Sequence, residues 1–266
     1  MTTLILGGVS AFVLSAIEHQ RRSEARDAAH AFSFRLLDRF NETLGALYLL
    51  AACVDKQSGA ISRFDEHAAD LMRDFPLLRA LELAPGGVIR RVYPLRGNET
   101  VVGHDLLTDK TRNREVHVAV SRRQMAIAGP MALRQGGIGV VARYPLQQVS
   151  SDGRSRFWGL SIAVVDFPSL LRASGDSEFE RLGYRYQICW VPSGETTCKQ
   201  AIGDPELSPE TAVVSKLGVG LAEWQLLVQP RHSWLSTIEY ALAALVSLVG
   251  GGLAGWQVRR LSQRPS

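Results

Sequence analysis

The stretch LSTIEYALAALVSLVGGGLAGWQV, residues 235–258, carries one charged side chain, Glu239, near its start. As a helix rising about 1.5 Å per residue it is long enough for a hydrocarbon core of roughly 30 Å. Trp234 and Tyr240 sit at one end and Trp256 at the other, where interfacial aromatics belong. Arg259, Arg260 and Arg264 follow, and the positive-inside rule puts that end in the cytoplasm. The segment reads as a transmembrane helix over 235–258 with a short cytoplasmic tail, 259–266. A buried helix of a globular protein is the other reading.

A second apolar run, from Leu4 to Ile17, stops at Glu18-His19-Gln20-Arg21-Arg22. It lacks the basic start of a signal peptide and a small-residue cleavage site. The expectation is a first transmembrane helix at residues 3–20, short and tilted, with Arg21 and Arg22 against it as external charges. The alternative is that the chain starts upstream. Between the two runs the 266-residue chain has ordinary globular composition, and its formal charge of +4 comes from basic residues scattered among acids. That excludes a basic stripe for nucleic acid.

Helical period marks the next segment. Phe32, Leu36, Phe40, Leu44 and Leu47 recur every three or four residues, with Arg35, Asp38, Arg39 and Glu42 opposite. One long helix is expected over residues 25–54, continuous with the first apolar run and broken by KQSGAIS. Ser62 is expected to cap a shorter helix, with Asp65 three positions on, ending before Pro76. Strand-and-turn patterns then take over. LRALELA and VIRRVYPL flank the turn Pro85-Gly86-Gly87. Residues 115–127 read as a helix ended by Gly129-Pro130. IGVVARYPL and FWGLSIAVVDF read as strands and PSLLRASG as a short helix. GYRYQICWV, TCKQAI, AVVSKLGV and AEWQLLVQP form a second set of strands. The chain thus reads as α+β, two small antiparallel units after one long helix.

Cys189 and Cys198 bracket WVPSGETT, and Pro192-Ser193-Gly194 is a turn signal between β-rich runs. A hairpin there would place the cysteines opposite each other, and a disulfide would require an oxidising compartment. Two unrelated buried thiols are the other reading. Cys53 lies in an apolar helix face and reads as packing.

Catalytic patterns are missing. The six histidines (19, 30, 67, 104, 117 and 232) show no metal-binding spacing, and GLSIA at 159–163 has Ala163 where a nucleophile elbow needs glycine. No metal or cofactor is expected, and no enzyme. Gly137-x-Gly139-x-x-Ala142 matches the dinucleotide fingerprint in letters, but a β-rich run closed by Pro145 follows it in place of a helix. It reads as a tight turn at Gln135-Gly136-Gly137 feeding a buried strand. Arg143 in that strand faces either solvent or a cavity that supplies an anionic partner.

Five stretches in this order resemble the CHASE domain family, the extracytoplasmic sensory domains of histidine kinases and nucleotide cyclases. They are LRALELAP, NETVVGHDL, GPMALRQGGIGVVARYP, FWGLSIAVVD and EWQLLVQPRHSW, and the resemblance covers about residues 30–234. The resemblance implies a long N-terminal helix packed on two tandem PAS-like antiparallel-sheet units. It divides the chain into sensor helices (21–75), a membrane-distal core (76–175) and a membrane-proximal unit (176–232). It further implies a small-molecule pocket in the first unit, with Leu106, Arg112, Arg114, Arg134, Arg143, Trp158 and Ser161 as ligand-binding candidates. Plant members bind adenine-type cytokinins. Where they place an acid before the pocket helix, Arg112, Asn113 and Arg114 stand here, and Arg143 replaces their small hydroxyl residue. Arginines at both places suit an anionic or carboxylate ligand.

The expected protein is a two-pass receptor of the cell inner membrane with a periplasmic sensory domain and both termini cytoplasmic. It would signal through a separate kinase or cyclase partner, or through an output domain missing after Ser266. A membrane-anchored adapter that binds another protein is the alternative. A homodimer is expected. One part of the stripe at Phe32–Leu47 would cover the PAS-like units, and its membrane-near part would pair with a second chain in a parallel contact near Arg26–Phe40. The small-residue pairs Gly7/Ala11 and Gly251/Gly255 would help, since they favour close helix approach in lipid.

Overall fold

Phe32, Leu36, Phe40, Leu44 and Leu47 fall on one stripe of a single helix, α1 (Thr2–Ala52), and all are buried. The computed structural model describes residues 2–55, 62–110, 113–149, 153–192 and 194–262. The expected break at 56–61, the candidate Arg112, the exposure of Gly7, Gly251 and Gly255, and the side chains of the C-terminal arginines lie outside that description. The stripe packs on two antiparallel sheets in tandem. In the first, Arg91–Tyr93, Leu78–Pro85, Ser155–Asp166, Ile138–Val149 and Ala126–Ala132 lie side by side in that order, and in the second Gln200–Gly203, Tyr184–Val191, Ala222–Pro230 and Val213–Val219.

Helix α2 (Phe64–Asp74) precedes the first sheet. Its cap is not Ser62 as expected. Arg63 stands there in a left-handed conformation, without a side-chain capping bond. Strands β1 (Leu78–Pro85) and β2 (Arg91–Tyr93) form the expected hairpin, with β2 shorter than VIRRVYPL. The helix expected over 115–127 is only α3 (Arg114–Arg122). Arg123 turns left-handed at φ 52° and ends it, and residues Ala126–Ala132 become strand β3. Ala126, Ile127 and Ala128 carry no helix-only signal, and the pairing with β4 (Ile138–Val149) decides their state. Strand β4 runs past Pro145, which was expected to close it.

The turn between β3 and β4 is the one the glycines predict. Gly136 and Gly137 take φ of 81° and 71°, and Leu133 N–H donates to Gly137 O at 3.0 Å. Arg79 Nη2 donates to Gln135 O at 2.9 Å and pins it to β1. Strand β5 (Ser155–Asp166) lies between β1 and β4. Gly159 in its FWG start is required, because a Cβ there would stand 2.5 Å from Ala84 O. Helix α4 (Phe167–Ser174) starts on an Asp166 side chain accepting from Ser169 N–H and stops at left-handed Gly175.

A short helix the sequence did not signal, α5 (Ser177–Arg181), leads into β6 (Tyr184–Val191), β7 (Gln200–Gly203), β8 (Val213–Val219) and β9 (Ala222–Pro230). Cys189 and Cys198 are joined by a disulfide, with Cα atoms 5.7 Å apart, across the β6–β7 connection. The two sheets meet at Trp224. Its ring packs against Phe40 and Phe167, and its Nε1–H donates to Gly129 O at 2.7 Å.

Helix α6 (Thr237–Ser262) returns beside the start of α1. Arg21 reaches Glu239 at 2.7 Å and Ser247 Oγ donates to Ser10 Oγ at 3.1 Å. Among the described residues no helix is long and apolar enough to cross a membrane, so the expected spans at 3–20 and 235–258 are not supported. Trp234, expected at a lipid interface, is buried instead. Its Nε1–H donates to Thr211 O, and Arg22 stacks on its ring at 4.5 Å. The stripe covers the two sheets as expected, and its membrane-near part, Phe32 and Leu36, expected to pair with a second chain, is buried inside this chain as well.

Candidate functional site

Both faces of the first sheet are buried, for different purposes. Alternation along each strand sends Leu81, Leu83, Val140, Ala142, Ala163 and Val165 toward α1. The opposite residues, Ala80, Ala84, Val141, Leu160, Ile162 and Val164, form a second cluster. The loop residues Ile89, Val101 and Leu106 cover it, together with Val116 of α3 and Leu133.

Two charged residues belong to this second face. Glu82 and Arg143 are each only 4% exposed. Both are in register with Ile162 on the strand between them, so the three residues form one cross-strand row on one face. The backbone of Glu82 is paired on both sides, but its carboxyl makes no hydrogen bond or ion pair among the described residues. Burial drives its carboxyl up to about 7, against the opposing pull of the Arg143 guanidinium. A carboxylate in such surroundings is costly unless something donates to it.

The rim of this face is polar. Arg134 Nη1 lies 2.7 Å from His104 Nδ1, and His104 Nε2 lies 3.1 Å from Asp109 Oδ2. Asp105 accepts from the backbone N–H of Leu107, then of Thr108, which holds its carboxyl below the ordinary range and fixes the loop that carries Leu106.

The sequence candidates therefore separate. Arg143 and Leu106 share the second face, and Arg134 stands at its rim. Arg114 points away along α3 and pairs with Glu195 of the β6–β7 connection, which Lys199 also holds at 2.9 Å. Trp158 packs in the layer against α1. Ser161 is fully buried in register with Leu83 and Tyr144, residues of that same α1 side. Glu82 was missed. Its signal was present, since a lone acid in LRALELAP is the same anomaly that singled out Arg143 in GVVARYP.

Among the described residues no group of His, Cys, Asp and Glu could hold a metal ion. The CHASE domain model matches residues 56–188. No curated protein matches the chain. Solved structures share its fold at low identity. An extracellular ligand-binding receptor from Desulfohalobium retbaense is 13% identical at a TM-score of 0.54, with 82% of this chain and 40% of that one covered. The sensory domain of the Campylobacter jejuni chemoreceptor Tlp3 (CcmL), with isoleucine bound, is 8% identical at a TM-score of 0.51, with 83% and 96% covered. The extracellular domain of soHK1S-Z6, described as a histidine kinase, is 12% identical at a TM-score of 0.54, with 82% and 96% covered.

Proposed function

Because this chain belongs to the CHASE domain family, we propose that it is an extracytoplasmic sensor whose ligand lies against the second face of the first sheet, between Glu82 and Arg143. The observation that carries the reading is Glu82, a buried carboxyl with no hydrogen bond or ion pair among the described residues. Such a group is satisfied by a ligand that donates to it. Arg143, two strands away in the same row, suits a carboxylate. A ligand with an ammonium and a carboxylate matches both ends, and the apolar Ile162, Val141 and Leu160 suit an aliphatic remainder. The isoleucine in the Campylobacter sensory domain has that chemistry.

Calorimetry with L-isoleucine, 3-methylpentanoate and 2-methylbutylamine tests this. The amino acid should bind more tightly than either half-molecule, and Glu82→Gln should remove its advantage over the carboxylate. Failure of every common amino acid and its two half-molecules to bind would sink the reading.

The ligand signal in this reading leaves through α1 and α6 to a kinase or cyclase output, on this or a separate chain. The ends of the two helices lie in a bilayer, both termini inside. What supports this is the exposure of Phe12, Ile238, Leu245 and Leu248 on the paired helices. A cytoplasmic reporter fused after residue 266 should then be active. The proposed homodimer would use the outer side of α1, where Phe34 is 74% exposed. Phe34→Cys should crosslink between copies, and a monomeric mass without crosslinking would remove the dimer.

A further inference from the structure

A second cleft, of about 550 Å³, opens in the second unit between α5 and the start of β6. Its volume lies within the roughly 300–1,000 Å³ of small-molecule sites. Strand β7 stops at Gly203, opposite Gln187, so Tyr184 and Arg185 have no neighbouring strand on that side. Tyr184 and Arg185 line the cleft, and Tyr186, whose ring packs against Phe179 and Phe32, reaches it as well. Tyr184 and Tyr186, two residues apart, point to the same side of the strand.

The charges around the cleft do not cancel. Arg185 is taken by Asp204 at 3.1 Å and by Glu206 at 3.4 Å. Arg231 is taken by Glu180 at 2.8 Å. Asp176 is left with the Tyr186 hydroxyl, which donates to it at 3.0 Å, as its side-chain partner among the described residues. Burial first, then Asp176, holds that hydroxyl far above the ordinary phenol range, so it stays a neutral donor. Glu24 of α1 adds negative potential at Tyr184, whose hydroxyl is raised by burial and then by that charge.

We propose that this cleft is a second ligand site, for a small organic ammonium ion held by the Asp176 carboxylate and the rings of Tyr184 and Tyr186. A carboxylate not balanced by a cation attracts positive charge, and phenol rings add the attraction of their faces for it. A neutral guest would gain the ring contacts alone. An anion would meet Asp176, Glu180 and Asp204 with both arginines already engaged.

Calorimetry on the purified full chain, with choline as the probe and 3,3-dimethylbutan-1-ol as its uncharged isostere, tests the site. Choline should bind, and the alcohol should bind at least about tenfold more weakly. Asp176→Asn and Tyr184→Leu should each weaken choline about tenfold or more while the protein still melts cooperatively, and the exposed Lys216→Ala should leave binding unchanged. The Tyr184 variant keeps the test open if loss of Asp176 disturbs α5. Absence of binding by choline, ethylammonium and putrescine would overturn the proposal. So would equal binding of the alcohol, or unchanged choline binding in both cleft variants. Isoleucine and 2-methylbutylamine also carry an ammonium group, so the isoleucine experiment is repeated in Asp176→Asn, where binding that survives belongs to the first unit.

Discussion

The two sheets use α1 in the same way and differ on their far sides. In the second sheet β8 alternates strictly, with Val213, Ser215, Leu217 and Val219 inside and Val214, Lys216 and Gly218 exposed. Its outer face buries Cys189 and Val191 of β6 and the small cluster of Leu207, Ala212 and Leu227. In the first sheet the far side is roofed by α3 and the loops, and β4 and β5 are buried through most of their length. A sheet covered on one face needs apolar residues at alternate positions, and a sheet covered on both needs nearly continuous runs. Only the roofed sheet has an interior in which a charge stands out, and Glu82 and Arg143 occupy it.

The comparison can be broken most severely at the residue common to both units. Trp224→Ala should cost about 3–5 kcal/mol, the range for a fully buried large aromatic, and strand Gly129 O as well. Urea unfolding would measure it, and a loss below about 1 kcal/mol would mean that the sheets do not rely on this contact.

Next in size is the charge under the roof. The folded-state carboxyl of Glu82 sits at about 7 and an unfolded glutamate near 4.5, so the native state binds the proton more tightly. The ligand-free protein should therefore lose stability as pH rises from about 4.5 to 7, by about 3 kcal/mol from this group, and change little above. Glu82→Gln should flatten that slope in unfolding measured at pH 5 and pH 8. An unaltered slope would show that Glu82 is not the buried acid.

The uncovered sheet has its own fastener. Replacing Cys189 and Cys198 by serine should cost about 2–3 kcal/mol from the short loop they close. That loss should leave isoleucine binding in the first unit unchanged, a point calorimetry can check. The smallest effect belongs to the open face, where Lys216→Ala should stay within about 0.5 kcal/mol of the parent. A larger change would mean that something covers this face.

These contrasts were partly visible in the sequence. The continuous run LSIAVVD and the alternating VVSKLGV already separate a doubly covered strand from a singly covered one. The α3–β3 boundary was not legible, because MAIA suits a helix as well as a strand and only pairing with β4 decides it. The opposite sides taken by Arg143 and Ser161 depend on register. The second cleft draws on α5, β6, the end of β7 and Arg231, segments that no local pattern connects. The terminal runs were read as spans from their composition. That composition gave no sign that the two helices join through Arg21–Glu239 and Ser10–Ser247, contacts between residues more than 200 positions apart.

Helix α1 is a wall of both units, touching β4 and β5 of one sheet and β8 and β9 of the other. Neither sheet can shed it without exposing Phe40 and Leu36 on behalf of its neighbour. Amide protons of central strands β5 and β9 should then exchange through one shared opening, with equal free energies and equal response to denaturant. The edge strands β2 and β7, by contrast, can fray without moving the rod.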